Sequence, residues 1–314
     1  MSTYILRRLG LAFVTLLFVV GMAFSVLRIM PGSAAEMMVT DQGYAEDVDR
    51  LRDKLGLSDP VYVQFWDWSS RLGRGDLGES LYTGRPITEE FADRFPVSLR
   101  LGVMMMSIGW IVGVPLGMLA AVKRGSIIDE LTRSTAVLFM ALPTFWIATM
   151  FLIFPSIWFG WAPPLRYGPF MDDPIASTKH LLWPAILGGL PISAGILRVT
   201  RTLMLEVLRQ DYMRTAQAKG LGQRVVLYRH GLRNAAPPLV TIMGLQVGTL
   251  FTGTVILEQI FGIPGMGRFA IEAAVRRDYP VIQALLLVSA TLILVANLVV
   301  DIAYGYLDPR IRLG

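Results

Sequence analysis

Six long apolar segments constrain the fold of this chain more than any other feature of its sequence. Each can cross the hydrocarbon core of a bilayer, which takes roughly 20 apolar residues at a rise of about 1.5 Å per residue. Only 17% of the 314 residues are charged, a share below that of soluble domains. The sequence therefore predicts an all-α integral membrane protein with six transmembrane helices. The six segments are residues 5–27, 97–122, 131–158, 181–204, 237–261 and 280–304.

Glycines and prolines inside these segments predict how the helices pack and bend. Gly109, Gly113 and Gly117 recur at every fourth position of the second segment, a spacing that lets helix backbones approach closely in lipid. Prolines inside a span act either as static kinks or as hinges of a gating motion. The third segment is longer than a straight span needs, so we expect it to tilt or to end in a kink at Pro155.

Basic residues cluster so that one orientation in the membrane is favoured. Arg7 and Arg8 lie at the very beginning of the first segment, and Lys123 and Arg124 lie in the short turn between the second and third. Residues 198–235 carry eight Arg and Lys against two acidic residues. With six spans, all these clusters and the basic C-terminus fall on one face, which the positive-inside rule assigns to the cytoplasm. We therefore predict that both termini are cytoplasmic.

Residues 31–96 have the opposite charge balance. They contain 13 Asp and Glu against 7 Arg and Lys, which is compatible with an extracytoplasmic location. We predict a small cap here, with a short surface helix that begins at Leu51 and ends at Gly56. Aromatic residues follow, which we expect to lie at the lipid headgroups or against neighbouring protein. They are Tyr62, Phe65, Trp66 and Trp68.

The motifs of several enzyme and carrier classes are missing from the sequence. There is no cysteine, and the two histidines, His180 and His230, are 50 positions apart, so no thiol chemistry and no histidine metal site is expected. The sequence has no GxxxxGK[ST] phosphate loop, no HExxH helix and no GxSxG elbow. We therefore predict no catalytic, cofactor or metal residues in this chain, which is not expected to hydrolyse ATP itself.

Charged residues near the ends of the apolar segments allow two interpretations. Most are expected to snorkel to the interface or to pair with a neighbour. Glu258 lies near the outer end of the fifth segment, where it either lines a transport path or gate or forms an ion pair with Arg268 or Arg277. The other charged residues of this kind are Arg28, Arg100, Arg133 and Asp301.

The segment from Asp211 to Asn234 is basic and amphipathic, and it separates the fourth and fifth apolar segments. Its charges place it at a membrane face, and Gly220 and Gly222 permit a sharp turn between two short helices. One interpretation is an interfacial helix bound to anionic lipid. The other is a surface that meets a soluble partner.

The spacing within this segment resembles the EAA loop of ABC importer permeases, EAA-x3-G-x9-I-x-LP. The chain has Arg214-Thr215-Ala216-x3-Gly220-x9-His230-x-Leu232. Arginine replaces Glu, Thr replaces the first Ala, His230 replaces Ile, and Arg233 stands in place of Pro. These departures resemble the form found in the dipeptide, oligopeptide and nickel permease group.

Blocks outside the loop resemble the same group, and together they cover nearly the whole chain. The cap with its GDLG motif is similar to that of the first, or B-type, of the two permease subunits. The blocks are GLSDPVYVQF at 56–65, GRGDLGES at 73–80, RFPVSL at 94–99, FGIPGMGR at 261–268, RDYP at 277–280 and LDPRIR at 307–312.

The resemblance implies the MetI-like fold of type I ABC importer permeases. It divides the chain into a first transmembrane helix, an extracytoplasmic cap, a transporter core that contains a cytoplasmic coupling loop, and a cytoplasmic tail. These are residues 1–30, 31–96, 97–304, 205–236 within the core, and 305–314. In the family the coupling loop docks on an ATPase subunit. The residues implied for coupling are Asp211, Arg214, Thr215, Ala216, Lys219, Gly220, Leu221, His230, Leu232 and Asn234.

Within the loop, the resemblance implies that Gly220 supplies the turn, that Ala216 and Leu221 form the docking surface, and that the arginines supply complementary charge. It also implies four kinds of partner: a second homologous permease, two cytoplasmic ATPase subunits that bind ATP and Mg, an extracytoplasmic solute-binding protein, and the lipid bilayer. No nucleic acid is expected. The implied location is the cytoplasmic membrane of a bacterium or archaeon.

The implied function is import of short peptides by alternating access, driven by ATP. A nickel chelate, glutathione or an oligosaccharide is an alternative cargo, because no residue of this chain selects among them. Two other classes remain as hypotheses. They are an ion-driven secondary carrier, which the shortage of acidic residues inside the spans disfavours, and a scaffold that only recruits a cytoplasmic protein.

Overall fold

The computed structural model describes residues 2–29, 59–164, 167–168, 170–248 and 250–307. Regular structure in these ranges is helical, apart from an isolated bridge between Glu79 and Pro86. The predicted helix at 51–56 and residues 308–314 of the predicted tail lie outside the described residues. The elements are α1 (Ser2–Ile29), α2 (Val61–Gly73), α3 (Ile87–Val122), α4 (Ile127–Ala141), α5 (Thr144–Phe159), α6 (Pro174–Leu208), α7 (Asp211–Ala218), α8 (Gln223–Val225), a π-helical turn (Val226–Leu232), α9 (Arg233–Val247), α10 (Leu250–Ile260), α11 (Met266–Val275) and α12 (Tyr279–Leu307).

Four helices in the described ranges are long and apolar enough to cross a membrane, namely α1, α3, α6 and α12. The pair α4 and α5 would make a fifth span if its two helices cross together. The predicted fifth segment, 237–261, is divided between α9 and α10. The count of six spans and the cytoplasmic location of both termini stay predictions.

The third apolar segment bends at Leu142 and Pro143 rather than ending in a kink at Pro155. The axes of α4 and α5 differ by 96° there, whereas Pro155 lies inside α5. The cause is local. The ring of Pro143 disfavours helical backbone at the preceding residue, and Leu142 adopts an extended conformation with φ −81° and ψ 129°. The sequence contains both prolines, but the periodicity of its apolar residues does not show which of Pro143 and Pro155 bends the segment.

The predicted close packing at the glycines of the second segment is confirmed. A Cβ atom at Gly113 would lie 2.7 Å from the carbonyl oxygen of Ser193, and one at Gly117 would lie 2.5 Å from that of Leu197. The backbone of α3 therefore lies directly against α6, and a side chain at either glycine would separate the two helices.

The chain divides into two compact units, Met1–Pro96 with Arg268–Leu298, and Val97–Gly267 with Val299–Gly314. In the first unit the Asp278 carboxylate accepts hydrogen bonds from the Ser80 hydroxyl at 2.5 Å and the Leu81 amide at 3.2 Å. Asp278 thus joins the turn before α12 to the loop before α3. The domain boundaries predicted from the sequence stay predictions.

The core of the second unit is formed by α3, α5, α6 and α10. It contains buried residues from all four helices and from the loop that follows α10. They include Leu101, Met105, Ala148, Leu181, Ala185, Leu257, Phe261 and Ile263. This core supports the two sites described next, which lie in the same unit.

Candidate functional site

The coupling loop predicted from the sequence folds into two short arms joined by a tight turn. The first arm is α7, and the second is α8 with the π-helical turn. Gly220 has a φ of +77°, a left-handed conformation that favours glycine. The amide of Gly220 donates to the carbonyl of Gln217, and the amide of Leu221 donates to that of Ala216. These two bonds form a Schellman motif, so the predicted turn at Gly220 is confirmed.

The two arms pack through a small apolar cluster of Met213, Ala216 and Val226, all of which are buried. The implied docking role of Ala216 stays a prediction, although Ala216 lies between the arms of its own loop. Periodicity could not show this, because the second arm decides which side of α7 is covered. Leu221, the other implied docking residue, is exposed.

The loop is also attached to the ends of the long helices. Met204 of α6 packs with Met118 and Ala121 of α3 and with Ala235 of α9. Leu232 and Leu227 of the second arm pack against this cluster. A Cβ atom at Gly231 would lie 3.1 Å from the Met204 side chain, so the second arm contacts α6 closely. A force on the loop would therefore be transmitted to both α3 and α6.

An ion pair fixes α6 close to the point where the loop begins. Arg201 donates to both carboxylate oxygens of Asp129, at 2.7 and 2.9 Å, and the Asp129 side chain is almost fully buried. The Gly125 amide donates to the same carboxylate at 3.0 Å. Such two-pronged contacts are directional, so the start of α4 and the end of α6 are held in register.

The loop exposes both apolar and basic side chains. Tyr228 is 57% exposed, and Arg214 pairs with Asp211 only across 3.8 Å with both side chains in solvent. Tyrosine and arginine are enriched in protein interfaces, so this surface has the composition of a docking site. Its apolar members are Tyr212, Leu221, Val225 and Tyr228, and its basic members are Arg214, Lys219, Arg224 and Arg229.

Three of these exposed residues were not predicted as coupling residues, namely Tyr212, Val225 and Tyr228. Aromatic residues within a basic segment were the available signal. Four of the predicted coupling residues make hydrogen bonds within the loop. The Thr215 hydroxyl donates to the carbonyl of Asp211, and the Asn234 amide donates to the carbonyl of His230 at 2.6 Å. These bonds support the helical turns of the loop.

The second site surrounds Glu258, which has no solvent exposure. One carboxyl oxygen accepts the Ser98 hydroxyl at 2.6 Å, and the other accepts the Gly267 amide at 2.7 Å. Ser98 accepts the Met266 amide at 2.7 Å. We call Ser98, Glu258 and the segment 265–267 the carboxyl cluster. It fastens the loop after α10 to α3.

Two glycines let that loop approach Glu258. A Cβ atom at Gly265 would lie 2.4 Å from the Glu258 carboxyl carbon, and one at Gly267 would lie 2.5 Å from the Val255 backbone. Arg268 pairs with Glu272 at 2.8 Å. The gate at Glu258 and its ion pair with Arg268 or Arg277 stay predictions.

Two of the other charged residues singled out from the sequence, Arg133 and Arg100, have partners near helix ends. Arg133 lies 3.4 Å from Glu130. Arg100 donates to the hydroxyls of Ser177 and Tyr167. The side chains of Arg28 and Asp301 lie outside the described part of the chain. Among the described residues, no three His, Asp or Glu side chains cluster as metal ligands would.

Comparison with known proteins identifies the family of this chain. The family described as "Binding-protein-dependent transport system inner membrane component" matches residues 113–313, and its N-terminal counterpart matches residues 1–102. The chain therefore belongs to this family of binding-protein-dependent transport components. The family predicted from the EAA loop and its flanking blocks is therefore confirmed.

Named relatives match along almost the entire chain. Over an aligned length of 342 residues, this chain is 40% identical to the di/tripeptide transport system permease protein DppB of Pseudomonas aeruginosa, and the alignment covers 99% of each chain. It is also 40% identical over 337 residues to the dipeptide transport system permease protein DppB of Escherichia coli K12, again covering 99% of each.

A solved structure shows the same fold. A chain of the MetNI methionine ABC transporter, crystallised in inward-facing conformations, aligns with a TM-score of 0.54 and 17% identity. The alignment covers 70% of this chain and 97% of that chain. The core therefore has the type I importer permease fold.

Proposed function

We propose that this chain is a membrane-spanning permease subunit of an ATP-driven importer for di- and oligopeptides. One observation carries the proposal. The coupling loop presents an exposed apolar and basic surface and is attached at its base to α3 and α6. The relatives named as dipeptide permeases match the full length of the chain, which supports peptide as the cargo.

The proposed mechanism is alternating access driven from outside the chain. A phosphate loop is missing from the sequence, so ATP and Mg would be bound by two cytoplasmic ATPase subunits. Closure of the ATPases on ATP would move the coupling loops of this subunit and of a second, homologous permease. Because buried contacts join the two arms and join the loop to α3 and α6, we infer that loop and helices move together.

The remaining parts of the proposal concern cargo delivery and location. An extracytoplasmic solute-binding protein would deliver the peptide, and its specificity would decide among dipeptide, longer peptide, nickel chelate, glutathione and oligosaccharide. The complex would lie in the cytoplasmic membrane of a bacterium or archaeon. Six spans with both termini in the cytoplasm would place the coupling loop on the ATPase side.

Reconstitution tests this function. The transporter is assembled with its partner subunits in vesicles, the binding protein is added outside, and accumulation of a radiolabelled dipeptide is measured with and without ATP inside. We expect uptake only with both ATP and binding protein, and competition by other short peptides but not by nickel or sugars. Uptake that persists without ATP and collapses with an ionophore would instead identify an ion-driven carrier. Absence of any cargo-stimulated ATP hydrolysis would favour the scaffold hypothesis.

A further inference from the structure

Helix α2 has an aromatic side that is only half covered by the chain. Phe65 and Trp68 are half-buried, whereas Tyr62 is 75% exposed and Trp66 is 76% exposed. Tyr62 and Trp66 are four positions apart and therefore neighbours on the helix surface. Asp67 and Arg71 form an ion pair at 2.8 Å on the opposite flank. The helix is thus aromatic along one side and charged along the other.

Contacts with α1 fix the depth of α2. The ring of Phe24 lies 5.0 Å from the Phe65 ring and 5.8 Å from the Trp68 ring. Phe24 is next to the last residue of the apolar run Leu6–Ser25, whose 20 residues match a hydrocarbon core of about 30 Å. α2 is therefore held where α1 leaves the hydrocarbon, at the end remote from Arg7 and Arg8.

The surface beside this contact is apolar. α1 exposes Phe13, Phe18 and Met22, which face lipid if α1 spans the bilayer. The exposed aromatic side chains of α2 lie at the end of this apolar run, because α2 contacts Phe24 there. Tryptophan and tyrosine are enriched at the headgroup level, because their rings are amphipathic. An in-plane helix needs such an apolar side together with a charged side that reaches water, and Asp67 with Arg71 provides the latter.

From this arrangement we infer that α2 is an interfacial helix that lies along the membrane surface and places Tyr62 and Trp66 among the lipid headgroups. Its partner is the lipid bilayer, and it fixes the height of the segment that follows α1. The inference requires that α1 spans the membrane and does not depend on the cargo.

The absence of cysteine from the sequence makes a depth measurement direct. Single variants Tyr62→Cys, Trp66→Cys and Asp67→Cys are spin-labelled in the complete transporter, with cysteine-free partner subunits, in vesicles. Collision rates are measured with oxygen, which concentrates in lipid, and with a water-soluble nickel chelate. We expect oxygen to dominate at positions 62 and 66 and the nickel chelate to dominate at position 67, the matched control one residue away.

Two outcomes would overturn the inference. If both reagents are excluded at 62 and 66, protein covers the aromatic flank. If the nickel chelate dominates there as at 67, the flank lies in water. A second measurement needs no label. The difference in fluorescence between the wild type and Trp66→Phe is the emission of Trp66. We expect lipids brominated near the headgroup to quench this emission more strongly than lipids brominated deep in the acyl chain. Equal absence of quenching by both lipids would contradict the proposal.

Discussion

The coupling loop and the carboxyl cluster lie in the same compact unit but are built in opposite ways. The loop leaves its charged and aromatic side chains in solvent, and its arms are held together by an apolar cluster of three buried residues. The carboxyl cluster is fully buried and held by hydrogen bonds of 2.6 to 2.7 Å. One region is suited to be contacted by a partner, and the other to hold two chain segments together. Substitutions should therefore impair coupling in the first and folding in the second.

The largest effect is expected for Glu258→Ala. It leaves the Ser98 hydroxyl and the Gly267 amide without their acceptor in a buried site and opens a cavity. We expect a loss on the order of 3 kcal/mol in the free energy of unfolding. Glu258→Gln retains one acceptor oxygen and should lose less. Membrane abundance and thermal denaturation of the purified transporter measure both. Wild-type abundance and melting of Glu258→Ala would show that the cluster is not a structural joint.

Replacing a glycine by alanine should have different effects on membrane abundance in the two regions. A Cβ atom at Gly265 overlaps the Glu258 carboxyl, whereas one at Gly222 in the coupling loop meets nothing within 4 Å. We expect Gly265→Ala to cost about 1–3 kcal/mol through overpacking and to reduce membrane abundance. Gly222→Ala is the matched control and should leave abundance unchanged. Equal abundance of the two variants would remove the distinction.

Gly220→Asp should act on coupling more than on folding. Gly220 has a positive φ, which costs other residues about 1 kcal/mol, but a side chain there points into open space. The new carboxylate would stand within the basic surface, and the strained turn would reorient the arms. We expect the protein to remain in the membrane while ATP hydrolysis no longer drives uptake. Gly222→Asp adds the same charge at a φ of −58° and controls for strain. Wild-type uptake by Gly220→Asp in vesicles would refute this role.

What the sequence could predict depends on how local the cause is. The turn at Gly220 and the helices α1, α3, α6 and α12 follow from neighbouring residues, and they were predictable. The bend at Pro143 is equally local and needed only the rule for the residue before proline. The carboxyl cluster is different, because Ser98 and Glu258 are 160 positions apart and meet only in the folded core. The sequence block containing Gly265 and Gly267 was recognised by its resemblance to the permease group. The reason that these two positions need glycine is a tertiary contact.

The burial of Ala216 shows the same limit inside the loop. A helical pattern indicates that Met213 and Ala216 share a side of α7, but not whether a partner subunit or the second arm covers it. Val226 of the second arm covers it here. Leu221, by contrast, follows the turn and stays exposed, as a residue at the tip of a Schellman motif can. We therefore expect docking to involve, besides Leu221, exposed residues that the motif pattern does not list, such as Tyr228.

Tyr228→Ala tests whether this exposed residue takes part in docking. It should have the smallest effect on the stability of the chain itself. More than half of the side chain is exposed, so its removal should change the free energy of unfolding by less than about 0.5 kcal/mol. If Tyr228 is an anchor for the ATPase, its loss should weaken binding of that subunit by about 1–2 kcal/mol, or roughly tenfold. Titration of detergent-purified permeases with the ATPase measures this. Arg214→Ala removes an exposed charge and should weaken binding of the ATPase less than Tyr228→Ala does. Its effect on the affinity should disappear at high salt, where the charge is screened. If Tyr228→Ala leaves the affinity unchanged and Arg214→Ala lowers it strongly, docking depends on charge and not on the exposed apolar side chains.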